Sequence, residues 1–87
     1  MTADNLAFSP GSLSAPAGAT VTIAFNNADS GVPHDIDVFS PSGGSIGKTA
    51  VITGPAQATL SLGALAAGTY PFKCDVHPFM HGTLSVQ

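Results

Sequence analysis

The stretch YPFKCDVHPFMHG, residues 70–82, contains the only cysteine of the chain, two of its three histidines and its only methionine besides the start residue. Its first half alternates, so that Tyr70, Phe72 and Cys74 fall on one face of a predicted strand that ends at Cys74. The Cys74 thiol therefore points to the side on which the core is expected. Because another strand is predicted from Thr83, the residues between them form a loop.

The same two-residue alternation recurs along the chain, and no helical period persists. Clear strands are predicted at Thr20–Phe25, Gln57–Leu62, Thr69–Cys74 and Thr83–Val86. Weaker strands are predicted at Asn5–Phe8, Leu13–Ala15, Asp35–Phe39 and Lys48–Ile52. Clusters of Gly, Pro, Asn and Ser between these runs mark turns. The predicted fold class is all-β, a Greek-key sandwich or barrel of about seven to eight strands.

Composition narrows the possible functions. A chain of 87 residues fits one domain, with a radius of gyration of roughly 12 Å if compact. Two lysines face five aspartates, for a formal net charge of −3, which excludes the clustered basic surface of a nucleic-acid-binding protein. No apolar run approaches the roughly 18 residues that span a bilayer. A lone cysteine leaves three roles: a packed core thiol, a nucleophile or a metal ligand.

The crowded loop contains a set of metal donors. Cys74, His77 and Met80 lie three residues apart, so one loop can turn a thiolate, an imidazole and a thioether towards one point. The sulfur donors suit copper(I), whereas imidazole also suits copper(II). A further histidine, His34 in GVPHDIDVF, begins another predicted strand. A Greek-key arrangement can place that strand beside the loop.

This pattern resembles that of the cupredoxins, the type 1 or blue copper proteins. Their signature is a His after a Pro- or Gly-rich turn, followed by a closing Cys-x-x-His…Met loop. Here the two elements are Val32-Pro33-His34 and Cys74–Met80, and the short gap filled by Pro78-Phe79 resembles the amicyanin-type loop. Further similarity in AFSPGSLSAPAGATVTIAFNN, GTYPFKC and GTLSV extends the resemblance over nearly the whole chain. It implies a single cupredoxin-like domain, residues 1–87.

The resemblance also implies the ligands and the function. His34, Cys74 and His77 would form a trigonal plane around one copper ion that cycles between Cu(I) and Cu(II), with Met80 as the axial ligand. The function would be one-electron transfer, and the protein would not be an enzyme. Met80 has a competitor in the adjacent His81. Because chain neighbours point in different directions, only one of them ligates, and we expect Met80 to do so with His81 exposed.

The expected partner is a redox protein. It would dock loosely on the apolar surface around His77, Pro78 and Phe79, as suits a transient encounter with a small interface. We expect the protein to be a monomer. Cupredoxins generally work outside the cytoplasm, so the resemblance implies a periplasmic or extracellular location, free or anchored to a membrane in the full-length precursor.

One position departs from the family pattern. Asp35 stands where the family has an Asn that tethers the two ligand-bearing segments. Asp35 can accept a hydrogen bond from the backbone around Asp75 but cannot donate one unless it is protonated. The remaining aspartates are expected to be ordinary solvated residues.

Other functional interpretations place different demands on the sequence. A structural zinc site would prefer two or more cysteines, and a binuclear copper centre would need a second one. A multicopper oxidase would need more histidines than three, and a cysteine hydrolase would need an oxyanion site that the sequence does not show.

Copper storage or delivery would use the same ligands as an electron carrier, and a β-sandwich interaction module with a decayed site would use none.

Overall fold

A computed structural model describes all 87 residues, which form eleven strands and no helix. The strands are β1 (Thr2–Asp4), β2 (Ala7–Ser9), β3 (Ser12–Ala15), β4 (Thr20–Asn27), β5 (Pro33–His34), β6 (Asp37–Phe39), β7 (Ser45–Lys48), β8 (Ile52–Thr53), β9 (Ala56–Ala64), β10 (Gly68–Lys73) and β11 (His81–Val86). The predicted all-β sandwich is confirmed. Its strands are more numerous and shorter than the expected seven to eight, because turns interrupt several of the predicted runs.

The strands form two main sheets and one small one. The first sheet has the order β2-β1-β4-β9, and the second has the order β3-β11-β10-β6-β7. Strands β5 and β8 pair only with each other. Most neighbours are antiparallel, but β1 pairs in parallel with β4 and β3 pairs in parallel with β11. Early and late parts of the chain therefore lie side by side in the second main sheet, where β3 pairs with β11.

The four clear strands of the sequence are all present, as β4, β9, β10 and β11. In β4, Val21, Ile23 and Phe25 are buried and the residues between them are exposed, as strict alternation requires. Tyr70 and Phe72 of β10 are buried in the same way. The buried apolar side chains of both sheets form one continuous core, which burial of apolar surface stabilises.

The predicted strand Asn5–Phe8 is wrong in its first half. Asn5 and Leu6 adopt left-handed backbone angles, with φ of 53° and 58°, and form the turn between β1 and β2. Asn tolerates this conformation, whereas Leu rarely adopts it. The carboxylate of Asp29 holds the turn by accepting hydrogen bonds from both backbone N–H groups.

The predicted strand Lys48–Ile52 is also wrong. Lys48 ends β7 and Ile52 begins β8, so the predicted run covers the connection between two sheets. Thr49 fixes that connection, because its N–H donates to the carbonyl of Ile36 and its Oγ1 accepts the N–H of Ile36. A buried polar side chain thus takes over the hydrogen bonds that a continuous ladder would have made.

The predicted strand Asp35–Phe39 is confirmed only from Asp37 onwards, as β6. His34 lies in β5 instead, because two residues outside any strand carry the chain from the small sheet into the second main sheet. The radius of gyration is 12.1 Å, close to the value expected from the length. The chain forms no helix with the length and hydropathy of a membrane span.

Candidate metal centre

Three donor atoms from two distant parts of the chain meet beside the small sheet. Nδ1 of His34 lies 3.6 Å from Sγ of Cys74, and Nδ1 of His77 lies 3.8 Å from the same sulfur. All three atoms lie within 4.8 Å of one another, and no other group of this kind occurs in the chain. The structure therefore brings together three of the four residues predicted as ligands, each with a donor atom facing the others.

The position of Cys74 is set by the end of β10. It follows directly after Lys73, where the strand leaves the sheet between β6 and β11. The alternation that buries Phe72 also buries Cys74, which is fully shielded from solvent. The thiol is therefore positioned by the end of β10, where the strand leaves the sheet.

The loop after Cys74 is closed by two backbone hydrogen bonds. The N–H of Cys74 donates to the carbonyl of Met80 at 3.0 Å, and the N–H of Met80 donates to the carbonyl of His77 at 2.8 Å. The second bond closes a β-turn whose first central residue is Pro78, a position that favours proline because its φ is preset. The loop is therefore short and constrained, and it turns the His77 ring back towards Cys74.

Met80 and His81 have opposite environments, as predicted. Met80 is 2% exposed and belongs to the buried cluster that contains Cys74. His81 is exposed and begins β11, where it pairs with Lys73. The two adjacent side chains therefore differ in environment, with Met80 in the core and His81 in solvent.

His34 is held on both sides of its ring. It has no solvent exposure, and β5 positions it opposite Ile52 of β8. Its Nε2 lies 2.7 Å from Oδ2 of Asp29. An ionised carboxylate can only accept, so Nε2 is the donor in this bond and Nδ1 is left free to face Cys74.

Asp35 links the two ligand-bearing segments. Asp35 is 2% exposed, and its Oδ1 accepts the backbone N–H of Asp75 at 2.7 Å. These two residues immediately follow His34 and Cys74 in the sequence. The carboxylate therefore joins the two ligand-bearing segments as a hydrogen-bond acceptor.

Asp29 was missed at the sequence level, since all aspartates other than Asp35 were expected to be solvated. Its side chain is only 11% exposed. The backbone N–H of Leu6, followed by the hydrogen bond with His34, lowers the pKa of Asp29 from 3.8 to about 2. Asp37 also departs from the expectation, because it is buried and accepts a hydrogen bond from Ser45 Oγ. The only sequence signal for Asp29 is its place in the turn-rich run NNADSGVP ahead of His34.

The spacing of the donors fits one metal ion. Sulfur at about 2.3 Å and nitrogen at about 2.0 Å from a common ion, in a trigonal arrangement, lie about 3.7 Å apart. The observed separations of 3.6 and 3.8 Å match this value. One thiolate and two imidazoles with a buried thioether nearby suit copper, whereas a set with a single cysteine is unusual for structural zinc.

The side of the centre away from the core is apolar and reaches solvent. The His77 ring is half-buried and packs edge-on against Phe79, with 5.9 Å between ring centroids. Phe79 is 65% exposed and Val76 is 41% exposed, the first value being the highest among the large apolar residues. His77 thus links the shielded Cys74 to an exposed apolar patch, defined here as Val76, Pro78 and Phe79.

Comparison with known proteins agrees with this geometry. A family model described as a cupredoxin-like domain matches residues 1–86. The fold is similar to that of reduced auracyanin from the photosynthetic bacterium Roseiflexus castenholzii, with 23% identity over 99% of this chain and 93% of that one, and a TM-score of 0.88. It is also similar to an amicyanin variant in its reduced Cu(I) form, with 26% identity over 99% and 78% of the two chains and a TM-score of 0.73.

Copper-containing nitrite reductases are similar in sequence over part of the chain. Those of Neisseria meningitidis serogroup A and of Neisseria gonorrhoeae are 40% identical over 63 residues, which make up 70% of this chain. The matched region is 16% of each reductase. The chain thus corresponds to a small part of these relatives.

Proposed function

Because the chain belongs to the family of cupredoxin-like domains, we propose that it is a type 1 copper protein that carries single electrons between redox partners. The observation that carries this proposal is the convergence of His34, Cys74 and His77 at spacings that suit one ion. The similarity to an amicyanin in its Cu(I) form supports copper as the metal.

The four ligands in this proposal are His34, Cys74, His77 and Met80. When bound, copper supplies a one-electron couple between its cuprous and cupric forms. The protein contributes a soft thiolate and thioether that favour the first form and two imidazoles that also suit the second. A mixed set of this kind keeps both oxidation states accessible within one arrangement of donors.

Rigidity is the second contribution of the chain. His34 is fixed by β5, and Cys74 is fixed by the end of β10. The Asp35 carboxylate joins the segments that follow them. Because His34 is held by a hydrogen bond to Asp29 and the segments of His34 and Cys74 are tied together without a metal, these donor positions should change little when the charge of the site changes. Low reorganisation is what fast electron transfer requires.

Electrons would enter and leave through His77. His34 and Cys74 are fully shielded from solvent, whereas the His77 ring reaches the apolar patch of Val76, Pro78 and Phe79. A redox partner that packs on this patch would bring its own centre close to the imidazole edge. A small apolar contact suits an encounter that must form and dissociate rapidly. The partner in this proposal is a one-electron donor or acceptor protein.

We place the activity in electron transfer rather than in catalysis. Of the three histidines, two lie in the cluster and His81 is exposed. No second metal centre can be built from what remains, although the nitrite reductases that resemble this chain are enzymes in their full length. The match over residues 1–86 and the radius of gyration of 12.1 Å support a single domain. We further propose a monomer that works in the periplasm or outside the cell, as is general for cupredoxins.

Copper loading tests the proposal. The apoprotein should take up one equivalent of copper(II) and develop the intense blue absorption and narrow electron paramagnetic resonance (EPR) hyperfine splitting of a type 1 site. Cys74→Ser should abolish both, and His81→Ala should change neither. A colourless wild-type protein after copper addition would overturn the proposal.

Voltammetry separates an electron carrier from a copper storage or delivery protein with the same ligands. A carrier should give a rapid and reversible one-electron wave and should retain copper(I) against a protein acceptor. Ready loss of copper(I) to that acceptor, without reversible electron transfer, would favour delivery instead.

A further inference from the structure

Both ring nitrogens of His34 are engaged, and they face different partners. Nδ1 faces Cys74 Sγ at 3.6 Å, and Nε2 lies 2.7 Å from Oδ2 of Asp29. His34 is completely buried and Asp29 is 11% exposed, so water has little access to the bond between them. A charged acceptor and short distance characterise the stronger class of hydrogen bond.

The Asp29 carboxylate is itself held in place by the turn between β1 and β2. Its Oδ1 accepts the N–H of Asn5 at 2.5 Å, and its Oδ2 accepts the N–H of Leu6 at 3.0 Å. Successive backbone N–H groups that converge in this way form an anion-binding concavity. Both turn residues have a positive φ, which is uncommon for residues other than glycine. The turn is thus shaped around a carboxylate rather than around its own side chains.

The backbone of Asp29 is fixed as well. Its N–H donates to Oδ1 of Asn27 at 3.0 Å, and its carbonyl accepts the N–H of Val32 at 3.1 Å. Asn27 is fully buried, and its amide group donates to the carbonyls of Val32 and Ile52. The loop from β4 to β5 therefore holds the carboxylate at a defined distance from the imidazole.

His77 has no equivalent partner. Its Nδ1 faces Cys74, and the structure gives its other ring nitrogen no hydrogen bond to protein. The two imidazoles of the cluster are therefore unlike each other. His34 has a fixed negative charge beside its Nε2, whereas His77 faces solvent and the apolar patch.

We propose that Asp29 is a positioning residue for the copper site, which orients His34 through Nε2 and favours the cupric over the cuprous ion. The inference rests on the proposed copper function. A carboxylate behind a ligating histidine fixes its tautomer and ring orientation and makes it a more basic ligand. Its negative charge stabilises the ion of higher charge more strongly, because Coulomb attraction scales with the charge.

Two substitutions separate orientation from charge. Asp29→Asn removes the negative charge but keeps one oxygen that can accept a hydrogen bond from the turn or from His34. Asp29→Ala removes both the charge and the acceptor. Asp4→Asn is the matched control, since it makes the same change of net charge at an exposed residue. Affinities for copper(II) and copper(I), measured by competition with chelators, and the midpoint potential from voltammetry are the readouts.

We expect Asp29→Ala to bind copper(II) about 10–100-fold more weakly than wild type. For both Asp29 variants the loss should be larger for copper(II) than for copper(I). A tenfold larger loss for copper(II) corresponds to a rise of about 59 mV in the reduction potential. A blue Asp29→Asn protein with the affinities and potential of the Asp4→Asn control would overturn the proposal while leaving the copper function intact.

The wild-type apoprotein provides a test that depends neither on variants nor on copper. Long-range ¹⁵N–¹H correlation spectra assign the protonated nitrogen of each histidine ring. His34 should be protonated at Nε2, with a slowly exchanging proton, whereas the exposed His81 should exchange rapidly. A His34 ring protonated at Nδ1 and not at Nε2, or rapid exchange at its Nε2, would overturn the proposal whatever the spectra of the copper-loaded protein show.

Discussion

The carboxylate of Asp35 accepts the backbone N–H of Asp75 across 2.7 Å, and this single contact joins two segments 40 residues apart in sequence. Each partner directly follows a residue of the donor cluster, His34 in one case and Cys74 in the other. The contact does not involve the donors themselves. It therefore acts on the separation of the two segments and not on the chemistry of the metal.

Substitution of Asp35 tests this tether in the apoprotein. Asp35→Ala leaves a partly buried N–H without its acceptor and should lower the free energy of unfolding by about 1–3 kcal/mol. Asp35→Asn retains an acceptor oxygen and should lose less. Urea denaturation measures the stability of both variants, because a shift of the midpoint without a change in the slope m reports a change in the free energy of unfolding. Asp75→Ala, which keeps the backbone N–H, is the control, and equal stability of Asp35→Ala and wild type would contradict the prediction.

Met80 and His81 can be distinguished as axial ligand by one pair of variants. Met80→Leu conserves volume and should cost less than about 1.5 kcal/mol of stability. It removes a soft donor, so it should bind copper(I) more weakly and change the EPR spectrum of the copper(II) form. His81→Ala should leave copper affinity and spectrum unchanged, because this side chain is exposed. The reverse outcome would assign the axial position to His81.

Phe79 should matter for encounters and not for folding. It is 65% exposed, so Phe79→Ala should change stability by no more than about 0.5 kcal/mol. Truncating an aromatic anchor of an interface costs about 1 kcal/mol or more, or about fivefold in association. Electron self-exchange between reduced and oxidised copies, followed by NMR line broadening, should slow by that factor. Ile46→Ala, at an exposed apolar residue of β7, should leave the rate unchanged, and an equal effect of both variants would count against the patch.

Gly82 should not tolerate a side chain. A Cβ at this position would overlap the carbonyl oxygen of Gly11 and the ring of Phe72. Gly82→Ala should therefore destabilise the apoprotein by about 1–3 kcal/mol, as overpacking does. At Gly44 a Cβ would meet only Ser40 Oγ at 4.0 Å, so Gly44→Ala serves as the control in the same denaturation experiment. Two variants of equal stability would refute the prediction.

The longest strands were predictable because each packs one face on the core. Alternation of apolar and polar residues marked β4 and β10 with nearly their observed bounds. The burial of Cys74 followed from the same pattern. The short runs gave no such guidance, since Asn5–Phe8 and Lys48–Ile52 show no clear alternation and cover a turn and a connection. The turn is held by the distant carboxylate of Asp29, and the connection is held by hydrogen bonds between its own Thr49 and the distant Ile36.

The donor cluster was predictable only in part. The donors in the loop from Cys74 to Met80 could be predicted from their local spacing. Assigning His34 to the same site required the resemblance to a family. The bond between Asp29 and His34 had no such support. It depends on a turn at residues 5–6 that lies more than 20 residues away in sequence. Contacts of this kind arise from the three-dimensional fold, and no local pattern encodes them.

The parallel pairing of β3 with β11 has a consequence for biosynthesis. Ser12 lies opposite Thr83, so roughly 70 residues must leave the ribosome between the two partners. Because translation adds about 5–20 residues per second, the edge of β3 stays unpaired for several seconds. The nascent chain therefore cannot complete its second sheet before translation reaches β11. Cys74, His77 and Met80 immediately precede β11, so the donor cluster cannot assemble before that stage either.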